Sequence, residues 1–206
     1  MSMEIYAHRG IWGKKSEQNT FSGIQKAFSE GFGVETDIRY RDGKLVIGHD
    51  VDSNFLDFES LIEIWVLSGR LPMALNVKED GLAPVLTDIL RESGFNKTEG
   101  CFLFDMSIPE EVVYEKLELR VAKRVSELEP ISRFIEAPEY IWLDSFHNIW
   151  WQDIWETLSE CPSRVVIVSE ELHGRSHLNL IEMAISDFAF GICTDFPVDW
   201  RGTNGN

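Results

Sequence analysis

Short apolar runs alternate with segments of helical periodicity along almost the whole chain. The runs fall near residues 5–8, 33–38, 73–78, 101–105, 119–124, 140–144, 164–169 and 190–194, and each reads as a strand. Helical patterns lie between them at 20–30, 58–67, 82–93, 109–117, 151–159 and 177–186. Thr20, and Asp80 or Gly81, are suited to open helices, and Gly31 and Gly94 to close them. The segment 129–138 is too short and broken for a helix. Eight strands interleaved with helices predict an α/β chain folded as one small (β/α)8 TIM barrel over residues 1–206. An open doubly wound sheet fits less well, because no G-x-G-x-x-G or Walker turn follows the first strand.

In such a barrel the active site lies at the C-terminal ends of the strands. Charged and polar residues collect at those ends: His8, Arg9, Glu35, Asp37, Asn76, Lys78, Asp105, Arg124, Asp144, Ser169, Glu170, Glu171 and Asp195. A core would exclude this many charges, so they read as one site.

The stretch VETDIRYRDGKLVIGHD, residues 34–50, concentrates the chemistry. Val34 to Ile38 alternates, so Glu35 and Asp37 share one strand face. Asp42-Gly43 turns the chain, and the excursion that follows delivers His49. Two neighbouring carboxylates repel unless positive charge lies between them, and a hard cation with oxygen ligands, Mg²⁺ or Ca²⁺, meets that need. Asn76 and Lys78 also share a face, offering a carbonyl oxygen and a point charge. Arg9 presents a planar fork for phosphate, and His8 and His49 are suited to act as acid and base. Together these residue types point to metal-assisted hydrolysis of a phosphodiester.

Composition narrows the partners. The formal charge of -16 argues against nucleic acid or an anionic membrane surface and leaves room for one local cationic pocket. A small-molecule substrate follows. No run approaches a membrane span and the first residues lack a secretory pattern, so a soluble, cytoplasmic protein is expected. The three cysteines, Cys101, Cys161 and Cys193, lack metal-ligand spacing and read as small buried hydrophobes.

The ordered motifs His8-Arg9-Gly10, Gln18-Asn19-Thr20, Glu35-Thr36-Asp37, Asp42-Gly43 through His49-Asp50, Asn76-Val77-Lys78 and Thr194-Asp195-Phe196-Pro197 resemble the glycerophosphodiester phosphodiesterase family, part of the phospholipase C-like phosphodiesterases. The likeness is dense over residues 5–50, thinner to 78, and returns at the end. It implies His8 and His49 as acid and base, Glu35 and Asp37 as metal ligands, and Arg9 with Lys78 as phosphate binders in lipid metabolism. Two positions depart from the family pattern. Gln18 stands where the family has Glu, and Asn76 stands where the family has its third metal-binding Glu. Asp144 is the candidate to compensate for Asn76. The alternatives are a barrel that binds a phosphorylated ligand without turnover, or a relative that releases a cyclic phosphate. Segments 124–130 and 167–175 match no family motif and are expected to read the alcohol. Trp12, Trp142, Trp150, Trp151 and Trp155 read as core or interface before substrate contacts.

Overall fold

The structure is a computed structural model and describes residues 3–50, 55–94, 100–134, 136–183, 185 and 189–201. Ten strands and six helices alternate through it. The strands are β1 (Glu4–His8), β2 (Gly33–Arg41), β3 (Lys44–Ile47), β4 (Leu56–Asp57), β5 (Met73–Val77), β6 (Cys101–Phe104), β7 (Ala122–Val125), β8 (Tyr140–Leu143), β9 (Arg164–Val168) and β10 (Gly191–Thr194). The helices are α1 (Phe21–Ser29), α2 (Phe58–Leu67), α3 (Ala83–Glu92), α4 (Ile108–Lys116), α5 (Trp155–Glu160) and α6 (Leu178–Glu182).

Eight of the strands run parallel in cyclic order. β1 pairs with both β2 and β10, β2 continues to β5 and β6, and β7 continues through β8 and β9 to β10. Between β6 and β7 the ladder shrinks to one bridge, Leu103 to Val121, where the Leu103 N–H donates to the Arg120 carbonyl at 2.9 Å. β3 and β4 are an antiparallel flap on β2. The two-residue turn that starts the flap, Asp42-Gly43, has positive φ at both positions (50° and 84°), the geometry that matches strand twist in a tight hairpin.

Parallel strands are covered on both faces, which is why they read as continuous apolar runs. One set of side chains, among them Ile5, Val34, Leu75, Leu103, Ile141 and Ile167, packs outward against the helices. The alternate set fills the barrel with Tyr6, Ala74, Phe102, Phe104, Tyr140 and Trp142. Phe104 stacks on Trp142 at 4.1 Å and Phe102 on Tyr140 at 4.6 Å, making a dense aromatic floor beneath the polar strand ends.

The helix signals in the sequence act as expected at most ends. Thr20 accepts from the Gly23 N–H at the start of α1, Asp57 from Ser60 at α2, and Ser107 from Glu110 at α4. Gly31 and Gly94 close their helices with positive φ. Asp80 does not cap α3; its carboxylate instead accepts from the N–H and hydroxyl of Ser107. The expected helix at 151–159 splits into a 3-10 turn (Trp151–Ile154) and a short α5. The one expected over 177–186 is α6 over Leu178–Glu182, and its last residues fall partly outside the described ones. The segment after β7 carries only a 3-10 turn (Ile131–Arg133). Among the described residues, no helix is long and apolar enough to cross a membrane.

Candidate active site

β1 ends at His8, and the next two residues turn sharply: Arg9 has φ 59° and Gly10 φ 86°. A Cβ at Gly10 would lie 2.6 Å from the Gly23 carbonyl carbon, so glycine is required here by both conformation and space. The turn returns the Arg9 side chain across the mouth of the barrel, where its Nε lies 3.0 Å from Asp37 Oδ2. Asn19, also at positive φ (54°), donates from Nδ2 to the same oxygen at 2.8 Å and accepts at Oδ1 from the Thr36 hydroxyl. Lys78 Nζ approaches the other oxygen, Asp37 Oδ1, at 3.1 Å.

Asp37 is fully buried, and burial alone would raise its pKa. The charges of Lys78 and Arg9 with the Asn19 hydrogen bond outweigh that and hold it below the usual carboxylate range. Its neighbour Glu35 also feels the charges of His8, Arg9 and Lys78, which lower it, but they are outweighed. Burial first, then the Asp37 charge, push Glu35 up to about 7, and its Oε2 is buried with no hydrogen-bond partner. The two carboxylates on one strand face are thus differentiated: one is boxed in by cations, the other is left open.

His8 Nδ1 pairs with Asp195 Oδ1 at 2.6 Å, and its Nε2 lies 3.9 Å from Glu35 Oε2. This contact follows from the pairing of β10 with β1, whose register Ala7–Thr194 sets His8 beside Asp195. Asp195 is itself braced, because its N–H donates to Glu171 Oε1 at 2.9 Å. The Trp12 indole donates to the His8 carbonyl at 3.0 Å. His49 arrives on the flap, where its carbonyl accepts from Arg39 Nε (3.0 Å) and Nη2 (2.7 Å) and its ring Nδ1 pairs with Asp50 at 2.8 Å. A cavity of about 290 Å³ separates the flap from the loop before α1, and Arg9, Gln18, Gly48 and His49 line it.

The structure therefore brings His8, Arg9, Glu35, Asp37 and Lys78 into direct contact and sets His49 across a cavity from Arg9. Asn76, opposite Asp37 in the β2–β5 register, donates from Nδ2 to Asp105 Oδ2 at 3.0 Å, while its buried Oδ1 has no partner. Glu35 Oε2 and Asn76 Oδ1 are thus orphaned oxygens on adjacent strands, a donor chemistry that suits a hard cation. Histidine, cysteine and acidic residues alone do not supply it: among the described residues they form no group of three or more that could hold a metal ion. Asp144 is engaged elsewhere, with His173 Nε2 at 2.6 Å and the Ser145 N–H at 2.8 Å on its Oδ1. Of the five tryptophans singled out, Trp142 and Trp151 are buried, and the partly buried Trp150 donates from its indole to the Asp144 carbonyl.

Sequence reasoning missed three partners. Asn19 as the clamp on Asp37, Asp195 as the partner of His8, and His173 as the partner of Asp144 all act across long sequence separations. Only the first two lie in recognisable motifs.

No family model matches the chain, and no curated protein matches it. Solved structures do. A glycerophosphodiester phosphodiesterase from Parabacteroides distasonis superposes with TM-score 0.73 at 15% identity, covering 96% of this chain and 94% of that one. A Galdieria sulphuraria protein assigned to the same activity gives TM-score 0.71 at 12% identity, with 95% of each chain covered. The tryptophan synthase alpha subunit of Campylobacter jejuni, also a TIM barrel, follows at TM-score 0.58, 12% identity, and 94% and 86% coverage. The chain has the fold of these proteins.

Proposed function

We propose that this barrel, shared with glycerophosphodiester phosphodiesterases, hydrolyses a small phosphodiester of glycerophosphodiester type, with His8 and His49 exchanging protons. The observation that carries the reading is His8 fixed by Asp195 at the barrel mouth, with Arg9 and Lys78 converging beside it on buried Asp37. Asp195 on Nδ1 orients the imidazole and leaves Nε2 as the atom that gives or takes a proton.

The chemistry divides into two displacements. A hydroxyl neighbouring the phosphate attacks phosphorus while one histidine takes its proton. The bond to the other alcohol breaks, and the second histidine protonates that leaving oxygen. Water then opens the cyclic phosphate with the two roles reversed. Arg9 and Lys78 orient the phosphoryl oxygens and stabilise their developing charge. Glu35, Asp37 and Asn76 would hold a divalent cation, Mg²⁺ or Ca²⁺, through their oxygens, and it would supply Lewis-acid stabilisation of the same charge.

Phosphorus NMR of glycerophosphodiesters with the purified chain, with added cation and with chelator, tests this. Each of His8→Ala and His49→Ala is expected to lower turnover by about 10²- to 10⁴-fold. Undiminished activity in both variants refutes the assignment. A binder without turnover is the competing reading, motivated by Asn76 and Gln18; tight phosphate-ester binding with no product under any cation would favour it. Persistence of the cyclic phosphate would mark a transferase-like relative instead.

A further inference from the structure

The far side of the barrel mouth carries an arc of polar side chains: Arg124, Glu129, Glu171 and His173, from the two segments that match no family motif, alongside Asp105 and Asp144 at neighbouring strand ends. Asn76 Nδ2 donates to Asp105 Oδ2, and Arg124 Nη1 lies 3.1 Å from Asp105 Oδ1. Arg124 Nε pairs with Glu129. Asp105 adopts φ 68°, a left-handed conformation uncommon outside glycine, and this holds its carboxylate at the strand end. The N–H of Asp144 donates to the carbonyl of Val125, the residue after Arg124, at 2.8 Å, and the Phe146 ring contacts both Arg124 and His173. Asp144 in turn holds His173 at 2.6 Å. The turn that carries His173 (Glu170–His173) also carries Glu171, the brace on Asp195 behind His8. One turn thus joins the arc to the His8–Asp195 pair.

We propose that this arc, with Asp105, Arg124, Asp144 and His173 at its centre, binds a hydroxyl-rich alcohol of the substrate, a sugar or cyclic polyol esterified to the phosphate. This rests on the phosphodiester reading. Three lines converge on it. Asp105, Glu129 and Asp144 outnumber the fixed cations beside them, Arg124 and Lys78, which disfavours a second anionic group on the alcohol. Donors and acceptors alternate along the arc and are held by mutual ion pairs, an arrangement that matches vicinal hydroxyls, which donate and accept at once. The Phe146 ring beside it already contacts Arg124 at 5.7 Å and His173 at 5.3 Å, which disfavours its use by a quaternary ammonium. Beyond the arc, the buried Asn76 Oδ1 is an acceptor without a partner where arc and cation site meet.

Isothermal titration with myo-inositol 1-phosphate, glycerol 3-phosphate and phosphocholine, paired with phosphorus NMR of glycerophosphoinositol and glycerophosphocholine, tests the arc. The inositol phosphate is expected to bind about tenfold more tightly than phosphocholine, the worth of one hydrogen bond to a charged group. His173→Gln and Asp144→Asn should each bring that ratio close to one, with melting temperature as the check on folding. His173 is partly exposed and its variant tests the arc even if Asp144→Asn does not fold. Equal affinities in the unsubstituted chain, or a preference that survives His173→Gln, overturns the inference. Polyol preference without turnover of either diester sustains the arc and sinks the hydrolase reading; turnover without preference does the reverse.

Discussion

Asp37→Asn removes the one charge on which Arg9 and Lys78 converge. Asp37 is fully buried, whereas the side chains of Arg9 and Lys78 are 17% and 20% exposed. Deleting one partner of a buried ion pair costs about 3–5 kcal/mol, because the remaining charge is left uncompensated. Residual solvent access of the two cations places the loss at the lower end, about 3 kcal/mol. For a domain of this size that corresponds to a fall in melting temperature of about 6–12 °C. Urea unfolding followed by tryptophan fluorescence, in chelator at neutral pH, measures it. Lys78→Met in the same background should recover about 1–2 kcal/mol, since the two sites are in contact. The pH dependence has a fixed sign. Because the folded pKa of Asp37 is depressed, its contribution is present above its unfolded value of about 3.9 and is lost as pH falls through the folded value. The gap between the chain and Asp37→Asn should therefore close in acid. A loss below about 1 kcal/mol, or no recovery in the double variant, would refute the electrostatic account of the site.

Glu35 titrates in the opposite sense. Its folded pKa is raised to about 7, so the stability it contributes is complete below about 4.3 and lost as pH rises through about 7; Glu35→Gln should flatten that decline in denaturation midpoints. Asn76→Glu places a third carboxylate beside Glu35 and should tighten Mg²⁺ or Ca²⁺ binding by about tenfold or more, read as a larger cation-dependent rise in melting temperature. Gly10→Ala forces a Cβ within 2.6 Å of backbone at positive φ and should cost about 2 kcal/mol or more, seen as a lowered urea midpoint; an unchanged midpoint would contradict the close approach.

What could be read from the chain and what could not divide along a physical line. Hydrophobic periodicity is local, so eight strand positions and the (β/α)8 architecture were legible before any coordinates, and the likeness to solved barrels agrees with them. The side-by-side placement of Glu35 and Asp37 was equally determined, because strand pleating sets every second side chain on one face. The hairpin at Asp42-Gly43 and the caps at Thr20, Gly31 and Gly94 needed only the conformational preferences of those residues.

Only the tertiary structure decided what those residues touch. The sequence called for positive charge near the two carboxylates, but not that Arg9, turned back by its positive φ, and Lys78, on the strand that pairs with β2, would both settle on Asp37 and leave Glu35 Oε2 without a hydrogen bond. The His8–Asp195 pair spans nearly the whole chain and exists because β10 closes against β1. Asp144, the candidate to compensate for Asn76, stands at the end of β8, where its carboxylate pairs with His173. Local propensity acts over a few residues, while hydrogen bonds and charge pairs form between whatever the strand order brings within about 3 Å. The sequence by itself determined the barrel and the identity of its polar rim. Strand order and register decided which members of that rim are paired and which are left open, because they set which strand ends lie side by side.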